Sequence, residues 1–220
     1  TYPSMVTKKH AALLKKSGCA TALMGIQSGS PEVRSRMLRK ETNEQIEQAV
    51  QYLGEAGIKV QAEFIFGYPE ETSDQMWETV ELSQRLKSKG AVSGTFVFYP
   101  FPETQAQRDA DAANLIDESQ WKRITEGEGS YHTTMMLNQP NRNEALNLAS
   151  LVTFFNYLPP WFTKKILRKV YKFKNGLHFK IIGIMSVILM GNPWLLRERI
   201  YNLSYMLFRV FTRPIFLKKT

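Results

Sequence analysis

Three loops in the first half of the chain combine glycine, proline and polar side chains in a way that suits the binding of a polar ligand. Their sequences are GIQSGS (residues 25–30), FGYPEET (66–72) and YPFPET (99–104). Each loop follows a short apolar run, and glycine lets a ligand approach the backbone closely. Taken singly, each also has an explanation as an ordinary turn between a strand and a helix, since acidic residues favour a helix N-terminus.

The cysteine and histidine positions do not predict a metal centre. Cys19 is the only cysteine, and we expect it to be a small buried residue rather than a ligand. His10, His132 and His178 lie far apart and lack the spacing of a metal site. A single cysteine also argues against a disulfide framework and fits a reducing compartment, so we expect a cytoplasmic location.

The elements that would position the three loops alternate between helix and strand. Apolar runs predict strands over residues 20–26, 59–66 and 93–99. Capping boxes at TNEQ (42–45) and TSDQ (72–75) predict where the helices between the strands begin. Strands and helices in this order, joined by short loops, predict a parallel sheet covered by helices, either open or closed into a barrel.

The pattern within the second predicted strand favours the barrel. Its even-numbered residues are all apolar, whereas its odd-numbered residues include Gln61, Glu63 and Ile65. A parallel sheet covered on both faces would be apolar on both. A mixed face instead suits a barrel lumen that holds a ligand near the C-terminal ends of the strands. We therefore predict an α/β fold with a partial (β/α) barrel, the three loops on one rim, and Gln61 and Glu63 facing inward.

Charge divides the chain near residue 140. Residues 1–140 contain 15 Lys/Arg and 18 Asp/Glu, a net charge of −3, whereas residues 141–220 contain 14 Lys/Arg and 2 Asp/Glu, a net charge of +12. The second part also holds 14 of the 26 aromatic residues. This division predicts a barrel domain over residues 1–140 and a basic, aromatic α-helical extension over residues 141–220.

The extension has two explanations that the sequence leaves open. In WFTKKILRKVY, residues 161–171, aromatic anchors alternate with cations, as in helices that lie on a membrane surface. We therefore expect peripheral contact with an anionic membrane, and the alternative is a helical subdomain with a solvated basic face. No apolar run reaches the ~18–20 residues of a membrane span. Nucleic acid is the less favoured partner, because no recognition motif accompanies the charge.

The three loops and their strands resemble the second half of a radical S-adenosylmethionine (SAM) barrel, up to about residue 136. GIQSGS resembles the fourth-strand motif, with Gln27 where glutamate is usual, as in radical SAM methylthiotransferases. FVFYPFPET resembles the ending of the sixth strand. AGIKVQAEFIFGYPEET resembles the fifth-strand motif Gly-x-Ile-x-Gly-x-x-Glu, which maps onto Glu63, Ile65, Gly67 and Glu70. Glu63 stands where that motif has its first glycine.

The resemblance implies a SAM site on this chain. Ile65 would line the adenine pocket, and Gln27 with Ser28 would face the ribose or methionine part. A charge-assisted hydrogen bond from Arg36 or Arg39 would hold the SAM carboxylate. The whole implied set is Gln27, Ser28, Arg36, Arg39, Glu63, Ile65, Gly67 and Glu70.

The resemblance also implies a [4Fe–4S] cluster that cleaves SAM to a 5′-deoxyadenosyl radical. The sequence is nearest to cobalamin-binding radical SAM enzymes, so cobalamin, with methyl transfer or a rearrangement, is a further expectation. This chain lacks the three closely spaced cysteines that hold the cluster. It also begins without Met. We therefore expect the rear part of an enzyme with a missing N-terminal half, inactive alone, whose substrate is a small or lipid-like molecule.

Two other functions remain open at this point. One is a different (β/α)-barrel enzyme that binds a phosphorylated ligand at the same rim. The other is a catalytically inactive fragment or interaction module associated with membranes.

Overall fold

Strands and helices alternate through the first hundred residues of the chain. The computed structural model describes residues 1–127 and 137–167. The strands are β1 (Thr21–Gln27), β2 (Lys59–Phe66) and β3 (Val92–Val97). The helices are α1 (Lys8–Lys16), α2 (Pro31–Arg36), α3 (Asn43–Glu55), α4 (Ser73–Ser88), α5 (Gln105–Ala112), α6 (Glu118–Thr125) and α7 (Arg142–Phe155). Short helical turns occur at Pro3–Met5, Pro160–Phe162 and Thr163–Leu167.

The three strands form one parallel sheet in the order β1–β2–β3, which is their order in the chain. Thr21 pairs with Lys59 across the first two strands, and Gln61 pairs with Val92 across the last two. Helices connect each strand to the next, as in consecutive units of a (β/α) barrel. The predicted α/β class is therefore confirmed. We call the edge where β1, β2 and β3 end the rim, and the three loops that follow them the rim loops.

The two faces of the sheet differ as the sequence pattern predicted. Val60 and Phe66, like the other even-numbered residues of β2, are buried under the helices, chiefly α3, α4 and α7. Gln61, Glu63 and Ile65 are half-buried on the opposite face, which we call the open face.

Side-chain caps set the start of the helices that follow the first two strands. Thr42 and Gln45 each bond the other's backbone N–H, at 3.2 and 2.9 Å, so α3 begins where the motif predicted. Thr72 and Gln75 do the same for α4, at 3.3 and 2.9 Å. Such caps satisfy backbone donors that the helix itself leaves unpaired.

Two local expectations differ from the structure. Strand β3 ends at Val97, two residues earlier than predicted, so Phe98 and Tyr99 belong to the third rim loop. The helical spacing of Val6, His10, Leu13 and Leu14 predicts one inner face for α1, but its buried residue is Ala11, and Leu13 is 55% exposed.

Helix α7 lies directly beyond the predicted domain boundary and packs on β3 and α4. Trp77 Nε1 on α4 donates to Glu144 Oε1 at 2.9 Å, and the rings of Trp77 and Phe155 stack with centroids 6.0 Å apart. The boundary at residue 140 stays a prediction. The extension beyond residue 167 lies outside the described residues. Within the described part of the chain, none of the helices is long and apolar enough to cross a membrane.

The first rim loop touches α4 so closely that one position requires glycine. A Cβ on Gly29 would lie 2.3 Å from the Glu78 carbonyl oxygen and 2.5 Å from Thr79 Cα, both backbone atoms. We expect Gly29→Ala to lower the free energy of unfolding by about 1–3 kcal/mol, because the loop and the helix must separate. Urea denaturation of the purified chain measures this.

Gly54→Ala is the matched control for this substitution. Gly54 lies within α3, and the nearest atom to its added Cβ would be 3.7 Å away. Alanine should therefore be neutral there or stabilise the helix by about 0.5–1 kcal/mol. Equal effects at the two positions would contradict the close contact at Gly29.

Candidate functional site

One non-glycine residue in the left-handed backbone region lies at the end of β1, and one lies in each of the second and third rim loops. These residues are Gln27 with φ 71°, Glu70 with φ 58° and Glu103 with φ 65°. Such conformations cost free energy and cluster at ligand sites. The rim therefore combines polar side chains with backbone conformations that are common at ligand sites.

Gln27 ends β1 at an irregularity in the pairing with β2. Its side-chain Nε2 lies 2.8 Å from the point that a Cβ on Gly25 would occupy, so the amide folds back over that glycine. A guanidinium nitrogen of Arg39 lies 3.9 Å from the same point. The absent side chain of Gly25 thus leaves room on the open face for two polar groups.

Ser28 is buried and anchors the first rim loop. Its hydroxyl lies 3.1 Å from Thr79 Oγ1 on α4, and the Gly29 N–H donates to the same oxygen at 2.8 Å. Arg34, 1% exposed, donates to the Ser28 carbonyl at 2.7 Å. Burial lowers the pKa of Arg34. Ser28 and Arg34 therefore hold the loop in place from beneath.

Glu71 is a buried carboxylate that closes the second rim loop. Its Oε2 accepts from the N–H groups of Gly67 at 2.6 Å and Tyr68 at 3.2 Å. Its Oε1 is buried without a hydrogen-bond partner in the described residues. Burial raises the pKa of Glu71 to about 7, although the two N–H donors oppose the rise.

Arg36 joins α2 to the second rim loop. Its guanidinium donates to the Pro69 carbonyl at 2.7 Å and lies over the Tyr68 ring, 5.3 Å from the centroid. Tyr68 in turn packs edge-to-face on Phe98 of the third loop, with centroids 5.2 Å apart. Burial and the nearby Asp109 raise the pKa of the Tyr68 hydroxyl. These contacts join α2 to the second rim loop and the second rim loop to the third.

Two adjoining clefts open at the rim. The basic cleft, about 300 Å³, is lined by Gln27, Arg36, Met37, Leu38, Arg39, Ile65, Tyr68, Phe98, Gln105 and Ala106. The aromatic cleft, about 480 Å³, is lined by Gln27, Glu63, Ile65, Phe96, Val97, Phe98, Tyr99, Phe101, Thr104 and Ala106. The clefts share Gln27, Ile65, Phe98 and Ala106, so they adjoin along these four residues.

The clefts bring together five of the eight residues predicted for SAM, namely Gln27, Arg36, Arg39, Glu63 and Ile65. The other three lie elsewhere. Ser28 faces α4, Gly67 is buried with its N–H on Glu71, and Glu70 is exposed. SAM binding by any of these residues stays a prediction.

Sequence reasoning missed Arg34 and Glu71. The motif comparison selected Glu70, whereas the buried carboxylate is its neighbour. The sequence does contain a signal for Glu71. This residue directly precedes the capping residue Thr72, so its side chain is placed to reach back to the N–H groups of the loop. Arg34 has no such signal among the basic residues around it.

The chain's own donors do not fit an iron–sulfur cluster. Cys19 is half-buried rather than fully buried, and its Sγ lies 3.5 Å from the Thr21 carbonyl. Within the described ranges, no group of three or more His, Cys, Asp or Glu side chains is placed to hold a metal ion. One cysteine cannot supply the thiolates that such a cluster needs.

Comparison with known proteins gives a family match over residues 1–83, to the family described as the radical SAM superfamily. The chain is 29% identical over 118 residues to an uncharacterized methyltransferase of Pyrococcus horikoshii, covering 54% of this chain and 25% of that protein. It is 29% identical over 133 residues to the tRNA-2-methylthio-N(6)-dimethylallyladenosine synthase of Anoxybacillus flavithermus, covering 54% of this chain and 25% of the synthase. The chain thus spans about a quarter of the length of these curated relatives.

A solved structure also aligns with the chain. Coproporphyrinogen III oxidase from Escherichia coli, described as a radical SAM enzyme, gives a TM-score of 0.44 at 21% identity. The alignment covers 58% of this chain and 29% of the oxidase.

The raised pKa of Glu71 makes stability depend on pH. Because the folded chain binds this proton more tightly than the unfolded chain, the contribution is full below pH 4.5 and is lost as the pH rises through about 7. We expect Glu71→Gln to remove this loss, which is on the order of 3 kcal/mol. The measurement is urea denaturation of variant and wild type between pH 5 and 8.

Glu70→Gln serves as the control, because Glu70 is the exposed neighbour. Its free energy of unfolding should follow that of the wild type at every pH. If the curves for Glu71→Gln and the wild type stay parallel, Glu71 does not carry the proton.

Proposed function

We propose that this chain, whose residues 1–83 belong to the radical SAM superfamily, supplies the SAM-binding rim of a radical SAM enzyme. One observation carries the proposal: Gln27, Arg39 and Ile65, singled out by motifs in separate parts of the chain, line a single cleft. The strand order supports it, because functional groups of such barrels come from loops at the C-terminal ends of the strands.

The basic cleft has the chemistry that SAM requires. The guanidinium groups of Arg36 and Arg39 suit its carboxylate, since charge-assisted hydrogen bonds to arginine are strong. Ile65 offers an apolar surface for the adenine ring, and the Gln27 amide can donate and accept at the ribose. In this arrangement the protein positions and shields the cofactor.

In the complete enzyme a [4Fe–4S] cluster would supply the electron that cleaves SAM, and its ligands would come from residues outside this chain. The names of the two relatives describe a methyltransferase and a methylthio-group synthase. Transfer of a one-carbon or sulfur-bearing group is therefore the reaction class that we propose. Cobalamin and a lipid-like substrate belong to the same proposal and are supported by the sequence alone.

Binding of SAM to the purified chain tests the proposal. We expect isothermal titration calorimetry to detect SAM binding, and Arg39→Ala to raise Kd about tenfold, roughly 1.4 kcal/mol, by removing a carboxylate partner. Arg85→Ala is the control, because Arg85 pairs with Glu47 on the outer helices, with Nε and Oε1 2.8 Å apart. Equal Kd values for both variants would contradict the assignment of the basic cleft.

An anaerobic assay for 5′-deoxyadenosine completes this test. The isolated chain should bind SAM without cleaving it, because it cannot hold the cluster. Turnover by the 220-residue chain alone would overturn the view that the reactive centre lies elsewhere.

We also propose peripheral contact with an anionic membrane through the start of the extension. Tyr157 and Trp161 are 52% and 60% exposed. Lys87 Nζ lies 4.7 Å from the centroid of the Tyr157 ring, and Lys164, which pairs with Glu81 at 3.1 Å, lies on the turn that follows Trp161. Exposed aromatic rings beside lysines suit the interface between water and lipid head groups. The net charge of +12 over residues 141–220 supports the same partner.

Co-sedimentation with vesicles containing phosphatidylserine tests the membrane contact. We expect Tyr157→Ala combined with Trp161→Ala to weaken binding about fivefold, because two interfacial anchors are lost. Leu13→Ala removes an equally exposed apolar side chain from α1 and should have no effect. Binding of the wild type should also weaken between 0.1 and 1 M salt, as the Debye length falls from ~10 to ~3 Å. Equal binding to uncharged vesicles would rule out an anionic partner.

A further inference from the structure

A carboxylate stands between two glycines in the middle of the open face. Glu63 on β2 pairs with Gly25 on β1 and with Gly94 on β3. A Cβ on Gly94 would lie 3.3 Å from Gln61 Nε2 and 3.6 Å from Glu63 Cγ, so the Gln61 amide covers this glycine beside Glu63. Glu63 itself lines the aromatic cleft together with Phe96 of β3.

Glu63 has little compensation for its charge. Its Oε1 accepts one long hydrogen bond, 3.4 Å from Gln61 Nε2, and it forms no ion pair within residues 1–127 and 137–167. A half-buried carboxylate can remain charged with so few protein partners as long as water solvates it. A ligand that covers it must bring a donor or a positive charge, because burying an unpaired charge is costly.

The rest of the same cleft is walled by aromatic rings. Phe96 lies two residues beyond Gly94 on the open face and pairs with Ile65, one row nearer the rim than Glu63. Tyr99 and Phe101 continue the wall, with ring centroids 5.0 Å apart, and Phe101 is exposed. The faces of aromatic rings attract cations. A carboxylate and several rings around one cleft of about 480 Å³ form a site for an organic cation.

We propose that the aromatic cleft binds the second reactant, that this substrate carries a protonated amine beside an apolar or aromatic body, and that Glu63 determines this specificity. The proposal rests on the proposed function in that SAM occupies the basic cleft, where Arg36 and Arg39 can bind a carboxylate but offer no acceptor to a ligand whose only charged group is an ammonium. The shared residues Gln27 and Ile65 place the two reactants in contact.

SAM is itself a cation, so it is the competing occupant of the aromatic cleft. The two possibilities predict different changes in ligand affinity when Glu63 is replaced by a neutral residue. If Glu63 serves the substrate, its neutralisation weakens amine binding and spares SAM. If it serves SAM, both weaken together.

The test uses 2-phenylethylammonium as the charged probe and 2-phenylethanol as the neutral probe of similar shape. Binding to the full chain is followed by ligand-observed NMR. We expect the wild type to prefer the ammonium probe by about tenfold, and Glu63→Gln to abolish the preference by weakening ammonium binding about tenfold. Glu55→Gln, on the exposed end of α3, should leave both affinities unchanged.

The comparison of the two probes on the wild type does not depend on any variant, so it holds even if Glu63→Gln folds poorly. Equal affinity for the two probes would overturn the proposal. So would a parallel loss of SAM and ammonium binding in Glu63→Gln, or displacement of the ammonium probe by SAM. Failure of SAM to bind the wild type, with ammonium binding intact, would instead contradict the proposed function and leave the cation site standing.

Discussion

The contact between the first rim loop and α4 is the constraint on which the site depends. Thr79 Oγ1 binds both the Ser28 hydroxyl and the Gly29 N–H, and only a glycine fits against the α4 backbone there. Helix α4 itself begins where the second rim loop ends, so fixing the first loop to α4 fixes the two loops relative to each other. Arg36 then reaches from α2 back to the Pro69 carbonyl. Side chains from separate motifs therefore meet at one cleft because the backbones beneath them cannot move apart.

The second rim loop is held by the buried carboxyl group of Glu71, and burial raises the pKa of that group to about 7. Glu71 uses one carboxylate oxygen to hold two backbone N–H groups, while burial favours its protonated form. A charged acceptor makes the stronger hydrogen bonds, yet the buried site resists the charge. These opposing effects leave the pKa of the carboxyl raised to about 7, within the neutral range. The hydrogen bonds that hold the second rim loop, which carries Tyr68 of the basic cleft, therefore depend on whether Glu71 is protonated.

The features that the sequence predicted correctly are those decided by interactions between residues close together in the chain. Capping boxes and the two-residue period of β2 are decided by near neighbours, and α3, α4 and the two sheet faces follow from them. Arg34 is buried where its guanidinium donates to the Ser28 and Glu41 carbonyls, and neighbouring positions along the chain do not distinguish it from Arg36. The same holds for Glu70 and Glu71, since a left-handed turn at Glu70 decides which carboxylate points inward. The early end of β3 also lies beyond local prediction, since the Phe98 N–H still donates to the Phe66 carbonyl at 2.8 Å while the Phe98 ring packs on Tyr68 of the second rim loop.

Gln27 explains how one rim can hold sites of opposite charge side by side. Its left-handed backbone turns the amide over Gly25, the residue that pairs with Glu63, and Arg39 approaches the same point. A carboxylate at position 27 would attract Arg39 and repel the nearby Glu63, drawing the two clefts into one electrostatic site. An amide has no net charge and both donates and accepts. The neutral glutamine therefore separates Arg39, which lines the basic cleft and lies over the Tyr2 ring with a guanidinium-to-centroid distance of 4.5 Å, from Glu63, which lines the aromatic cleft.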